Sequence, residues 1–146
     1  MKVYVDTSVL LRVVLGEPGV LAEWTAIEMA VASELTRVEA LRTIDRARLL
    51  NQLPDEEVAL RREGVFAILC GFHIAGLNAA VLERAADPLP TLVRTLDAIH
   101  LATALLVRAE HEDLIFATHD WQLATAARSV GFQVLGAPVE PTARQI

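Results

Sequence analysis

The sequence predicts an α/β fold of three layers, α/β/α, with a central parallel sheet covered by helices on both faces. Three observations predict it. Short apolar runs rich in β-branched residues recur along the chain, amphipathic stretches of helical period stand between them, and turns containing Gly or Pro mark the joins. Strands that alternate with helices pair in parallel through crossovers, and a parallel sheet needs both faces covered. A chain of 146 residues can build one domain with a substantial core, so residues 1–146 are read as a single domain.

Lys2 to Asp6 reads as a short buried strand and Ser8 to Leu15 as the helix after it, ended by Gly16-Glu17-Pro18-Gly19. Val20 to Met29 is apolar at helical spacing and reads as a second helix; Ala30 to Ser33 reads as a second strand. Thr36 to Leu50 reads as a helix with Val38, Leu41, Ile44 and Leu49 inward and Arg37, Arg42, Arg46 and Arg48 in solvent, stopped at Asn51-Gln52-Leu53-Pro54. Asp55, Glu56 and Glu57 suit the N-terminus of a helix that runs to about Cys70. Phe72 to Leu77 reads as a third strand and Asn78 to Ala86 as a short helix. After the turn at Asp87-Pro88-Leu89-Pro90, a long helix runs from Thr95 to about Glu110. Asp113 to Thr118 reads as a fourth strand, His119 to Val130 as a helix, and Phe132 to Leu135 as a last strand before a Pro-containing tail.

Composition narrows the function classes. Apolar residues make up 53% of the chain, yet no run reaches the roughly 18 uninterrupted positions a membrane span needs. The start shows no secretory signal, and Cys70 is the sole cysteine, which excludes an internal disulfide framework and a cysteine zinc site. A cytoplasmic location is expected. The net charge of -6 argues against adhesion to nucleic acid through the whole surface, but leaves room for a local basic strip. Of 13 cationic residues only Lys2 is a lysine, so nearly all positive charge is guanidinium, the group that grips phosphate or carboxylate with paired hydrogen bonds.

Four carboxylates stand in places where a plain structural role is only half the explanation. Asp6 closes the first strand, at the sheet end where α/β folds bind ligands, though it could equally cap the following helix. Asp120 repeats that arrangement after the fourth strand. Asp97 lies near the start of a helix apolar on nearly every side, with His100 three residues on and on the same face; a helix-dipole contact is the alternative. Glu39 follows Thr36 at the spacing of a capping box. The topology brings all four towards one edge of the sheet. Clustered carboxylates repel unless a cation neutralises them, and Mg²⁺ or Mn²⁺ is the hard, oxygen-seeking ion that suits such a set.

Val5-Asp6-Thr7-Ser8, Ser33 through Glu39, Leu96-Asp97-Ala98-Ile99-His100-Leu101-Ala102 and Ala117-Thr118-His119-Asp120 are short motifs, but their order and spacing resemble the PIN-domain family over essentially the whole chain. The nearest type is VapC, the ribonuclease toxin of type II toxin–antitoxin pairs. The resemblance implies a PIN-like fold and a Mg²⁺- or Mn²⁺-dependent endoribonuclease whose products carry 5′-phosphate and 3′-hydroxyl ends. Asp6, Glu39, Asp97 and Asp120 match the acidic quartet that holds one or two ions. Ser8 and Thr118 match the polar residues that orient carboxylates, water or phosphate. A VapB-like antitoxin, an RNA substrate and a homodimer are the implied partners. Trp121 and Gln122 stand where family members often carry a further acid or small polar residue. His100 and His119 are expected beside the site, outside the ligand set. Arg12, Arg37, Arg42, Arg46 and His119 are the candidates to hold RNA, because so acidic a centre would otherwise repel it. The chief alternative is a PIN-like binding module of weak activity. More distant are an adhesion domain, whose Asp-x-Ser-x-Ser motif ends here in Leu10, and a phosphotransfer domain, which wants an acid at Ser8 or a lysine beyond Lys2.

Overall fold

The computed structural model describes residues 1–137. Along the chain it forms β1 (Lys2–Val5), α1 (Thr7–Val14), β2 (Met29–Ser33), α2 (Glu34–Asn51), α3 (Asp55–Cys70), β3 (His73–Ala75), α4 (Ala79–Ala86), α5 (Thr95–Arg108), β4 (Ile115–Ala117), α6 (Trp121–Ser129) and β5 (Val134–Leu135). The five strands pair in parallel in the order β3-β2-β1-β4-β5. The expected three-layer α/β/α fold is therefore present. Strand order reverses between β1 and β4, and at such a switch point a crevice opens beyond the carboxyl ends of the strands. Asp6 follows β1 and Thr118 follows β4 at that crevice.

Successive residues of β1 point to opposite faces, which sets up two cores. Tyr4 stacks on Phe116 at 5.1 Å between ring centroids, and with Leu101, Ala104, Leu123, Ala126, Ala127 and Phe132 it packs the sheet against α5 and α6. Val3 and Val5 pack on the other face with Val9, Leu21, Ala30 and Ala117. Leu10, Ala40, Ile44 and Val65 join α1, α2 and α3 in a third cluster. Among the described residues no helix is long and apolar enough to cross a membrane.

Two sequence expectations fail locally. Val20 to Met29 is not an α-helix: it is loop with one 3₁₀ turn, Trp24–Ala26, and Met29 already belongs to β2. Leu21, Trp24 and Ile27 are the residues it buries or half-buries against the sheet. Their spacing of three matches the 3.0 residues per turn of a 3₁₀ helix better than the 3.6 of an α-helix. In α2 the buried residues are Thr36, Ala40 and Ile44, an i, i+4, i+8 row, while Val38 and Leu49 are 56% and 64% exposed. Thr36 and Ala40 are small enough to let the helix lie close. Val38, two residues from each, is turned about 200° away. The Pro-containing tail lies outside the described residues.

Candidate metal centre

Asp6 is the N-cap of α1 and is 5% exposed. One of its oxygens is fully engaged: Oδ2 accepts from Ser8 Oγ at 2.6 Å, Thr118 Oγ1 at 2.9 Å and Ser8 N at 3.3 Å. Ser8 Oγ in turn accepts from His119 N at 3.0 Å, and Thr118 Oγ1 from Asp120 N at 3.0 Å. The two hydroxyls thus hold Asp6 and tie the ends of β1 and β4 together. Oδ1 of Asp6 is left without a hydrogen bond among the described residues, 3.7 Å from His100 Nε2. Capping and ligation are compatible here, because each uses a different oxygen.

Glu39 does not close a capping box. α2 begins at Glu34, and its N-cap is Ser33, whose hydroxyl accepts from Leu35 N at 3.1 Å. Glu39, one turn further in, instead accepts from Thr7 Oγ1 at 2.7 Å and contacts His100 Nε2 through the same oxygen. His100 is 1% exposed, too buried to touch RNA, and its Nδ1 lies 2.8 Å from the Tyr4 hydroxyl. Burial of the imidazole alone would push its pKa down; the hydrogen bond to Glu39 and the charges of Asp6, Glu39 and Asp97 outweigh that and raise it. Burial likewise acts to raise Glu39, but the bond and charge of His100 and the Thr7 hydroxyl lower it overall. Both directions favour the carboxylate–imidazolium form of the pair. Tyr4, buried beside Asp6 and Glu39, is held protonated well above its ordinary value.

Asp97 is not paired with His100, although the two share a helix face. Its partner is Arg94, whose Nε donates to Asp97 Oδ2 at 3.1 Å and whose Nη2 donates to Asp120 Oδ2 at 3.4 Å. Asp120 Oδ1 meanwhile accepts from Leu123 N at 2.9 Å as the N-cap of α6. Burial raises the pKa of Asp97, and the charges of Asp120 and Asp6 push the same way against Arg94. Asp6 and Asp120, the N-caps of α1 and α6, thus flank the switch point, and His100 and Arg94 tie Glu39 of α2 to the first and Asp97 of α5 to the second. Arg94 was missing from the sequence reading; its signal was a lone cation three residues before Asp97, the spacing at which a helical side chain meets its neighbour.

The RNA-binding candidates are dispersed. Arg12 donates to the Gly19 carbonyl at 3.3 Å, folded over the loop after α1. Arg42 pairs with Asp45 at 3.5 Å, and Arg46 is exposed in the same turn of α2, roughly 10 Å along the helix from Glu39. Arg37, exposed two residues before Glu39, lies with its guanidinium 5.5 Å from the Phe66 ring centre. His119 Nδ1 donates to the Gly136 carbonyl at 3.0 Å. Gly136 has φ +90, and a Cβ there would lie 2.7 Å from the Thr118 carbonyl, so glycine is what lets the chain after β5 pass this closely behind the site.

The donor chemistry fits a hard divalent ion: four carboxylates, with unbonded oxygens on Asp6, Glu39 and Asp97 among the described residues. Among the described residues no three His, Cys, Asp or Glu side chains stand where they could hold one ion together. Each half of the quartet instead has one basic side chain against it, His100 for Asp6 and Glu39, Arg94 for Asp97 and Asp120.

Fold and site together define a class, three-layer α/β domains with an acidic cluster over the carboxyl ends of a parallel sheet. Within that class the chain belongs to the PIN-domain family, whose profile matches residues 3–129. Over 137 aligned residues it is 33% identical to Ribonuclease VapC47 of Mycobacterium tuberculosis (strain CDC 1551 / Oshkosh), with 89% of this chain and 93% of that protein covered. Among solved structures it is similar in fold to FitAcB from Neisseria gonorrhoeae, with 21% identity, a TM-score of 0.66, and 90% of this chain and 95% of that one covered. It is similar also to a toxin–antitoxin complex from Klebsiella pneumoniae, with 19% identity, a TM-score of 0.61 and coverage of 88% and 94%.

Proposed function

We propose that this chain is an endoribonuclease that hydrolyses RNA phosphodiester bonds with Mg²⁺ or Mn²⁺ held by Asp6, Glu39, Asp97 and Asp120, and that it acts as the toxin of a toxin–antitoxin pair. One observation carries the reading: Asp6 and Asp120 stand at the ends of β1 and β4 on either side of the switch point, linked through Thr118, while His100 ties Glu39 to Asp6 and Arg94 ties Asp97 to Asp120. An ion bound there supplies Lewis acidity at the scissile phosphate and a more acidic water. The residues of the chain do the rest. Ser8 and Thr118 fix Asp6 so that Oδ1 is the oxygen on offer, His100 holds Glu39 at the site wall, and Arg94 and Arg37 place positive charge beside an anionic substrate.

Membership of the PIN-domain family and the likeness to a protein named as a ribonuclease support the activity. The fold shared with a toxin–antitoxin complex supports a VapB-like antitoxin as partner. A net charge of -6 suits a partner that brings basic side chains. A groove of about 330 Å³ beside Ser33, lined by Arg37, Phe66, Leu69, Cys70 and Ile74, offers it apolar surface. Exposed Leu92, Leu96 and Trp121 offer surface for a homodimer in the cytoplasm. The deciding experiment is cleavage of RNA by the purified protein with Mg²⁺ or Mn²⁺, with chelator, and with Asp6→Asn. Cleavage that needs the ion and is lost in the variant is expected. Cleavage indifferent to both would refute the quartet, and none under any condition would favour the binding-module reading.

A further inference from the structure

Arg94 sits at the N-cap position of α5 but makes no capping bond with its side chain. Its guanidinium reaches instead across the mouth of the site and joins Asp97, in the first turn of α5, to Asp120, the N-cap of α6. The same two carboxylates belong to the set that would hold the divalent ion under the proposed function. Guanidinium and ion neutralise the same charges, so each weakens the case for the other. The side chain is 70% exposed, and water can replace both of its bonds at little cost. Released, a guanidinium at the rim of an acidic site presents the forked donors that suit a phosphate.

Resting on the reading that the quartet holds Mg²⁺ or Mn²⁺, we propose that Arg94 is a displaceable counter-ion. It bridges Asp97 and Asp120 in the metal-free protein, gives them up when the cation loads, and then holds an RNA phosphate at the same rim.

The test compares wild type with Arg94→Gln and Arg94→Lys in three measurements: Mn²⁺ titration followed by electron paramagnetic resonance, melting with and without saturating Mn²⁺, and RNA cleavage at saturating Mn²⁺. Arg94→Gln should bind Mn²⁺ about three- to tenfold more tightly, the scale of losing exposed charge pairs. It should melt below wild type without metal and level with it when saturated. What Arg94 contributes to the empty site is what the ion must displace, so the two effects cancel round the cycle. KM for RNA should rise by more than kcat falls, and Arg94→Lys should recover part of that loss. If wild type binds no Mn²⁺, the quartet reading falls and this inference with it. If wild type binds Mn²⁺ but Arg94→Gln binds it no more tightly, still melts below wild type at saturating Mn²⁺, or has an unchanged KM, the inference alone falls.

Discussion

The two halves of the acidic centre meet their basic partners in opposite ways. Asp6 and Glu39 face His100, an imidazole 1% exposed, backed by Tyr4 and flanked by the Thr7, Ser8 and Thr118 hydroxyls. Asp97 and Asp120 face Arg94, a cation whose side chain is 70% exposed. A buried, hydrogen-bonded charge pair is costly to break, whereas an exposed one is worth little and is screened by salt. One half of the site is thus built into the core and the other is adjustable. Orientation belongs to the first half and, under the proposal above, exchange with ligands to the second.

The largest effects should come from the carboxylates themselves. Asp97→Asn should cut RNA cleavage on the order of 10²- to 10³-fold, the scale of removing a few kcal/mol of transition-state stabilisation. The same variant should melt no lower than wild type without metal, because burial and neighbouring acids already disfavour the Asp97 charge. Initial rates and metal-free melting curves check both, and a melting temperature well below wild type would mean that Asp97 is structural.

Next in size is the contrast between the two basic partners. His100→Ala should destabilise the protein by about 2–4 kcal/mol, since it opens a cavity and strands the Tyr4 hydroxyl and Glu39. Arg94→Gln should change stability far less. Denaturant melts of the two variants, run in chelator, test the contrast; equal losses would erase the distinction between the halves.

The His100–Glu39 pair also predicts a pH signature in the metal-free protein. His100 has a raised pKa, so its contribution is complete below the ordinary histidine value of 6.5 and is lost as pH rises through the folded value. Glu39 has a lowered pKa, so its contribution is complete above the ordinary glutamate value of 4.5 and is lost as pH falls through the folded value. The stability gap between wild type and Glu39→Gln should therefore be widest between pH 4.5 and 6.5 and narrow on both sides. Asp6, Asp97, Tyr4 and Thr7 face the pair in both proteins, so the subtraction isolates it. A gap that does not vary across this range would contradict the ion pair.

Smallest should be the arginines of α2. Arg37→Ala is expected to raise KM for RNA by about two- to fivefold, and Arg42→Ala or Arg46→Ala by less, as befits single exposed phosphate contacts. Cleavage assayed across salt concentrations checks the order.

How much of this was legible in the sequence follows from what each feature depends on. The strand–helix alternation and the acids at the ends of β1 and β4 are local signals, and both appear in the structure where apolar runs meet Asp6 and Asp120. Val20 to Met29 misled because a spacing of three serves a 3₁₀ turn as well as a poor α-helix, and only packing on the sheet decides. Val38 misled because α2 buries the small residues Thr36 and Ala40, which a hydrophobicity pattern passes over. At the site, partners were harder to read than positions. His100 shares a helix face with Asp97 but bonds Glu39, 61 residues away in sequence, through a fold that no local spacing encodes. Arg94 bridges two helices, and nothing in either stretch alone announces it.

The central claim is that the four carboxylates together form a site for a divalent cation. Calorimetric titration of Mn²⁺ into the chelator-treated protein tests it directly, with Asp6→Asn and Asp97→Asn in parallel. Saturable binding by wild type, a melting temperature that rises with Mn²⁺ concentration, and loss of both in each variant are the predicted results. Binding that survives in both variants, or a wild type whose melting is indifferent to millimolar Mn²⁺, would contradict it.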